Sequence, residues 1–304
     1  MPLRNRLPEG EKERNRSRVF SILASRQRVS RPELAQETGL SRATIATLVD
    51  ELVELDLVKL VGPGDSRGGR PAVVLEFNPD AAFALGTSMQ DYSWTVVRTN
   101  LNARIVDRTT VTMADASVEA AVEAIAEGVK DVLGRCDRIR LIPGIGLGPP
   151  GLVDIASGRI ISAADVGWSD VPFGDLVSDA TGFPTTVANR SKVAALAEYW
   201  YTSGDGIEDL IYVSVGTGVA AGIIHHGELY VGTNSSAGEL GHITVLPEGP
   251  PCACGNRGCL QQLVAESAIA QRARLALRSA TGGELHDAVG AHPEQLTADQ
   301  VLRA

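Results

Sequence analysis

The sequence predicts an α/β protein in two parts: a small helical module with a β-hairpin at the N-terminus, then a larger body of two α/β halves. Three observations carry this. Apolar residues recur at helical spacing up to Leu57, with capping residues before two of the helices. From Pro79 onward, β-rich runs alternate with helical stretches and Gly-rich turns. Three of the four cysteines crowd beside a histidine near the end of the second half.

The first helix is read from Arg14 to Ser25, where Val19, Phe20, Ile22, Leu23 and Ala24 gather on one side of a helical period and Arg14, Arg16 and Arg18 lie elsewhere. Ser30 and Glu33 form a capping box with Pro32 near the first turn, so a short second helix runs to about Thr38. Gly39 supplies a permissive backbone for a turn, and Ser41 caps a third helix whose buried stripe is Ile45, Leu48, Val49 and Leu52. This order is that of a helix-turn-helix, whose last helix enters the major groove of double-stranded DNA by its N-terminal residues. Here those residues are Ser41, Arg42, Ala43, Thr44 and Thr47. Arg42 suits a guanine edge or a phosphate, and the small hydroxyls suit phosphates or a thymine methyl. After Leu57, the segment VKLVGPGDSRGGRPAVVLEFN reads as a hairpin, a wing. Arg67 and Arg70 at its Gly-rich tip are placed to enter a narrow minor groove. The plainer reading of the helices alone is a small helical subdomain with a Gly-rich linker.

Charge divides the same way. Residues 1–71 hold 13 Lys/Arg against 10 Asp/Glu, leaving 15 against 27 for the remainder of a chain of net charge -9. A mildly basic module can approach phosphates, whereas an acidic body is repelled by a polyanion and suits a neutral ligand. No apolar run is long enough to span a membrane and the charged N-terminus does not resemble a signal peptide, so a cytoplasmic location is expected.

His242, Cys252, Cys254 and Cys259 supply one imidazole and three thiols over 18 residues, enough for a closed structural zinc site of the Cys3His type. Gly255 and Gly258 let the chain fold tightly there, and Cys136 stands apart. Inert thiols or a redox pair are the competing readings, and the Cys-x-Cys spacing would strain a pairing between neighbours.

In the body, AAFALGTSM, SWTVVRT and ARIVDRTTVTM read as strands, residues 117–133 as a helix, and RLIPGIGLGPPG as a buried strand ending in a loop. A second unit begins near Asn189 with the helix SKVAALAEYWYTSG and the strands DLIYVSVGTG and VAAGIIHHGELY. Two halves with Gly-rich turns suggest a ligand cleft between them.

The runs VSVGTGVAAGIIHHGELYVGTNSSAGELGHI, CACGNRGCLQ and GPPGLVD, with Gly69-Arg70-Pro71 as a hinge after the wing, resemble the ROK family of repressors, open reading frames and sugar kinases over roughly residues 15–280. The resemblance implies a winged helix-turn-helix at 1–75 followed by a two-lobed, actin-like (ribonuclease-H-like) domain, with lobes at 76–188 and 189–304 and a sugar site between them. It further implies sugar contacts at Asn189, Glu239 and His242. At two further sugar positions this chain departs from the family pattern, with Asp165 where asparagine is usual and Gln261 where glutamate is usual. Members of the family continue for several more helices, so the second lobe is expected to be incomplete. The competing reading of these five polar residues is a satisfied buried network without a ligand.

Family kinases carry an Asn-Asp pair whose aspartate is the catalytic base; here the pair is Asn189-Arg190, and arginine cannot accept a proton. The first phosphate loop of those kinases is replaced by Ser88, Gln90, Asp91 and Tyr92, and only Gly216-Thr217-Gly218 survives of the second. The chain is therefore expected to have no catalytic residues and not to be an enzyme. The reading that results is a repressor of carbohydrate genes, binding a DNA operator as a homodimer or dimer of dimers and sensing a sugar or sugar derivative. The alternatives are an ATP-dependent sugar kinase with an N-terminal extension, and a scaffold that docks a protein partner.

Overall fold

The computed structural model describes residues 10–63, 73–135, 140–202, 206–278, 283, 294 and 296–303. The wing tip, with Arg67, Arg70 and the Gly69-Arg70-Pro71 hinge, lies outside the described residues, as does Cys136.

The N-terminal module comprises α1 (Glu11–Arg26), β1 (Arg28–Ser30), α2 (Arg31–Thr38), α3 (Arg42–Glu54), β2 (Val58–Pro63) and β3 (Val73–Phe77). The Ser30 hydroxyl accepts from the Glu33 amide while the Glu33 carboxylate accepts from the Ser30 amide at 2.7 Å, closing the expected capping box. Gly39 then takes a left-handed φ of 70° and ends α2. Val19, Leu23, Leu34, Ile45, Leu48, Val49 and Leu52 share one core with Val29, Val58 and Leu75 of the sheet. Strand β1 was not legible in the sequence: its three residues pair antiparallel with β3, 44 to 48 positions away, so the wing sheet has the order β1-β3-β2. Arg18 also has a role the sequence hid, donating from Nη1 to the Thr38 carbonyl at 3.0 Å and from Nη2 to Glu37, so that a cation covers the last carbonyls of α2.

The first lobe is built on a five-stranded sheet of order β11-β7-β4-β5-β6, from β4 (Phe83–Gln90), β5 (Ser93–Asn100), β6 (Ile105–Thr112), β7 (Leu141–Gly148) and β11 (Thr185–Val187). The first three form an antiparallel meander; β7 runs parallel to β4 and β11 parallel to β7. Helix α4 (Val118–Gly134) packs on the meander through small residues, Ala120, Ala121, Ala124 and Gly128. A Cβ at Gly128 would lie 2.6 Å from Val96 Cγ2 and 3.3 Å from Thr109 Cγ2. Both neighbours are β-branched and stiff, so Gly128→Ala is expected to destabilise by about 1 kcal/mol, overpacking outweighing the helix-propensity gain. Urea denaturation monitored by circular dichroism checks this. Below the sheet, Phe173 stacks between Trp94 and Trp168, each 5.6 Å away. The strands β8 (Leu152–Asp154), β9 (Arg159–Ala163) and β10 (Trp168–Val171) form a separate small sheet, followed by α5 (Phe173–Thr181), none of which the sequence reading had divided into elements.

The second lobe opens with α6 (Arg190–Ala197) and a π turn at Glu198–Thr202, shorter as an α-helix than the sequence suggested. Its sheet is the antiparallel β12 (Leu210–Val215), β13 (Val219–His225) and β14 (Glu228–Leu229). Helix α6 lies close on β13, where a Cβ at Gly222 would be 2.3 Å from that of Ala195. The opposite face of β12 carries Ile211, Val213 and Val215, all exposed. Helices α7 (Gln261–Val264), α8 (Glu266–Leu277) and α9 (Ala298–Arg303) follow, α9 resting on α8.

Candidate functional sites

The N-terminal face of α3 is open. Ser41, Arg42, Ala43 and Thr47 are exposed and Thr44 is half-buried, because the buried stripe from Ile45 to Leu52 turns this face outward. The hydroxyls are not all spare. Ser41 caps the helix by accepting from the Thr44 amide at 3.1 Å and bonds the Thr44 hydroxyl at 2.9 Å, and Thr47 donates to the Ala43 carbonyl at 3.2 Å. Arg42 is exposed and makes no ion pair among the described residues, so its guanidinium is accessible to a base edge or phosphate.

Four ligand atoms of His242, Cys252, Cys254 and Cys259 lie within 4.8 Å of one another, a cluster that could hold a metal ion. His242 Nδ1 is 3.6 Å from Cys252 Sγ, and Cys254 Sγ is 3.7 Å from Cys259 Sγ. A tetrahedral ion with bonds of about 2.3 Å to sulfur and about 2.0–2.1 Å to nitrogen needs edges of about 3.7 and 3.6 Å. These two edges therefore have the lengths that a tetrahedral zinc site needs, and the remaining ligand atoms lie within 4.8 Å of them. The loop is closed by pairing of Thr244 with Cys259 and of Pro251 with Arg257. Gly258 is required here: its φ is 63° and a Cβ would lie 1.5 Å from the Leu246 carbonyl oxygen. Burial would raise the Cys252 thiol, but the Cys254 amide and bonds with Cys254, His242 and Cys259 together bring it to about 7. Burial, with the neighbouring sulfurs of Cys254 and Cys252, pushes Cys259 up to about 12.

Beside this cluster runs a cleft of ≈ 540 Å³ that Asp165, Asn189, Glu239, His242 and Gln261 all line, with Arg190 and the Asp91-Tyr92 turn. The five residues read as sugar contacts thus share one space. Asn189 is partly committed to the backbone, capping α6 through Oδ1 on the Ser191 amide at 2.8 Å and donating from Nδ2 to the Gly151 carbonyl at 2.7 Å. Asp165 is exposed and Gln261 is buried. Gln261 also donates to Cys252 Sγ at 3.7 Å, so one side chain borders both the cleft and the thiol cluster. Burial holds the Glu239 carboxyl above its ordinary range, a shift that Lys192 and His242 oppose. Lys192 was missed by sequence reasoning, since a lysine is rarely expected at 1 % exposure; its Nζ donates to the Ser235 carbonyl, and burial lowers its pKa while Glu239 raises it.

Arg190 reaches across the cleft and donates from Nη1 to the Met89 carbonyl at 3.0 Å, joining α6 to the first-lobe sheet. Met89 precedes a two-residue β4–β5 turn in which Asp91 and Tyr92 both adopt left-handed backbone, φ 47° and 55°. Gly216 and Gly218 bond each other in the turn between β12 and β13, and Thr217 and Gly218 line the cleft.

A winged helix-turn-helix joined to a two-lobed α/β body, with a cleft beside a His/Cys cluster, defines a class in which regulators and sugar kinases share one fold. The chain belongs to the ROK family, whose model matches residues 91–303, and a winged helix-turn-helix DNA-binding model matches residues 12–59. It is 31% identical over 260 residues to a putative xylose repressor of Caldicellulosiruptor sp. strain Rt8B.4, covering 85% of this chain and 65% of that protein. It is 28% identical over 262 residues to the DNA-binding transcriptional dual regulator NagC of Escherichia coli K12, covering 86% and 64%. The chain thus spans slightly less than two thirds of the length of these relatives. A solved ROK family transcriptional regulator, a homologue of the E. coli MLC protein, shares the fold with a TM-score of 0.77 at 24% identity, over 96% of this chain and 73% of that one. A ROK family glucokinase from Streptomyces griseus, solved with glucose and AMPPNP, matches with a TM-score of 0.66 at 26% identity over 73% and 70%. Among the described residues no helix is long and apolar enough to cross a membrane.

Proposed function

We propose that this protein is a cytoplasmic, sugar-responsive transcriptional repressor of carbohydrate genes that binds a double-stranded DNA operator as a homodimer and performs no phosphoryl transfer. The observation that carries this is the open N-terminal face of α3, with Arg42 exposed and making no ion pair among the described residues, on the same chain as a polar cleft between lobes. The names of the relatives, a xylose repressor and NagC, support it. A dimer supplies the two-fold pair of recognition helices that half-sites one helical turn apart require. A zinc ion held by His242, Cys252, Cys254 and Cys259 would tie the 242–259 loop into one conformation. His242 would then present a fixed ring to the cleft. Asp165, Asn189, Glu239 and Gln261 would grip hydroxyls of the sugar. A ligand acts on DNA affinity only if it binds two arrangements of the lobes unequally, with a coupling of about 1–3 kcal/mol, or roughly 5- to 150-fold.

Fluorescence anisotropy on the protein's own upstream DNA, with xylose, glucose and N-acetylglucosamine added in turn, tests this. The expected result is a specific complex whose affinity one sugar changes by that factor; the absence of any specific complex overturns it.

The kinase reading is disfavoured by one arrangement. Arg190 cannot take a proton from a sugar hydroxyl, and its guanidinium is bonded to the Met89 carbonyl. A coupled ATP-turnover assay with the same three sugars is expected to give a rate equal to the protein-free blank, and turnover above it would restore the enzyme reading.

A further inference from the structure

We propose that Asp209, His225 and His226 form a second metal site, on the surface of the second lobe and independent of the thiol cluster, for a late first-row divalent cation such as nickel or zinc. The register Leu210↔Ile224 places Asp209, just before β12, across from His225 at the end of β13. His225 Nδ1 donates to Asp209 Oδ1 at 2.7 Å, and the His226 amide donates to the same oxygen at 3.1 Å. A cation held between these two side chains would take the place of the proton that Nδ1 shares with Oδ1, so that Asp209 and His225 each supply one ligand.

Consecutive residues of a strand point to opposite faces, so two adjacent histidines do not ordinarily converge. Here they do, because His226 begins the turn to β14 with a left-handed φ of 50° and brings its ring to 4.0 Å from that of His225, tilted by 42°. One ligand atom from each of the three side chains lies within 4.8 Å of the others. Glu208 Oε2 stands 3.8 Å from His226 Nδ1 and offers a fourth donor. Two imidazoles with carboxylate oxygen are donors preferred by nickel and zinc over magnesium or calcium. All three residues are exposed, so such an ion would keep water ligands and exchange with solution, unlike one enclosed by three thiols.

The test uses the full chain purified in zinc, dialysed against micromolar NiCl2 and analysed for both metals. The expected result is about one nickel per chain with zinc retained. His225→Ala, His226→Ala and Asp209→Asn should each weaken nickel binding at least about 10-fold, since each removes a donor or its charge. Substoichiometric Ni2+ should broaden the ring-proton NMR signals of His225 and His226 before that of His242. Nickel uptake unchanged in the double histidine variant, no uptake beyond zinc, or broadening confined to His242 overturns the proposal.

Discussion

Cys254→Ser is expected to release the ion from the 242–259 loop, lowering metal content to near zero at the His/Cys cluster and the melting temperature with it. Three thiols and one imidazole that lie within 4.8 Å of one another lose a quarter of their donors, and the substituted hydroxyl stays protonated at neutral pH. Structural zinc contributes about 10–16 kcal/mol in small zinc-finger domains. The second lobe has its own sheet, so only part of that figure applies; a loss of even about 3 kcal/mol lowers the melting temperature by roughly 6–12 °C. Ala253→Ser, at the exposed position between two ligands, is expected to change neither quantity. Acid should act in the same direction as the Cys254 variant. Cys259 is held near 12 by burial and its sulfur neighbours, so it binds metal only by giving up a proton, and affinity therefore falls as pH falls. Metal analysis and differential scanning calorimetry across pH measure both effects; full metal content in Cys254→Ser would remove the cluster from consideration.

Arg42→Ala is expected to weaken specific DNA binding by about 1–3 kcal/mol, roughly 5- to 150-fold, while leaving stability unchanged. The side chain is exposed and makes no ion pair among the described residues, so no described ion pair is lost with it. Neighbouring positions do not give so clean an experiment. Ser41→Ala would also remove a helix cap worth about 1 kcal/mol, confounding affinity with folding. Anisotropy titrations at two or more salt concentrations separate the possible roles of Arg42. A phosphate contact lowers the salt slope by about one and weakens all sequences alike, whereas a base contact relaxes preference at one position. Equal affinity in the variant and the native protein would show that α3 does not read DNA through this residue.

What the sequence revealed and what it hid follow from the range of the interactions. The caps at Ser30 and Ser41 and the turn at Gly39 were legible because each is settled within four residues. The ligand set from His242 to Cys259 was legible because the chemistry of thiols and imidazole is specific at short spacing. Strand β1 was not, since three residues acquire strand geometry only from a partner far along the chain. Lys192 went unnoticed for a related reason: nothing local to a lysine signals burial until the Ser235 carbonyl and Glu239 are seen beside it. The pairing of Asp209 with His225 and His226 likewise depends on the β12–β13 register, which no local pattern announces. The five residues read from the family resemblance line one cleft, yet their hydrogen bonds show additional duties, Asn189 as a helix cap and Gln261 as a partner of Cys252.

Through the last of these connections, a metal held by the thiol cluster would become an internal gauge of the cleft. Gln261 touches Cys252 with its amide nitrogen and borders the space a ligand would fill, so any molecule that draws on that amide would also alter the electron density of a sulfur that would coordinate the metal. With Co2+ substituted into the thiol cluster, the colour of the protein should change when the cleft fills. The shift should vanish in Gln261→Leu, even where the ligand still binds.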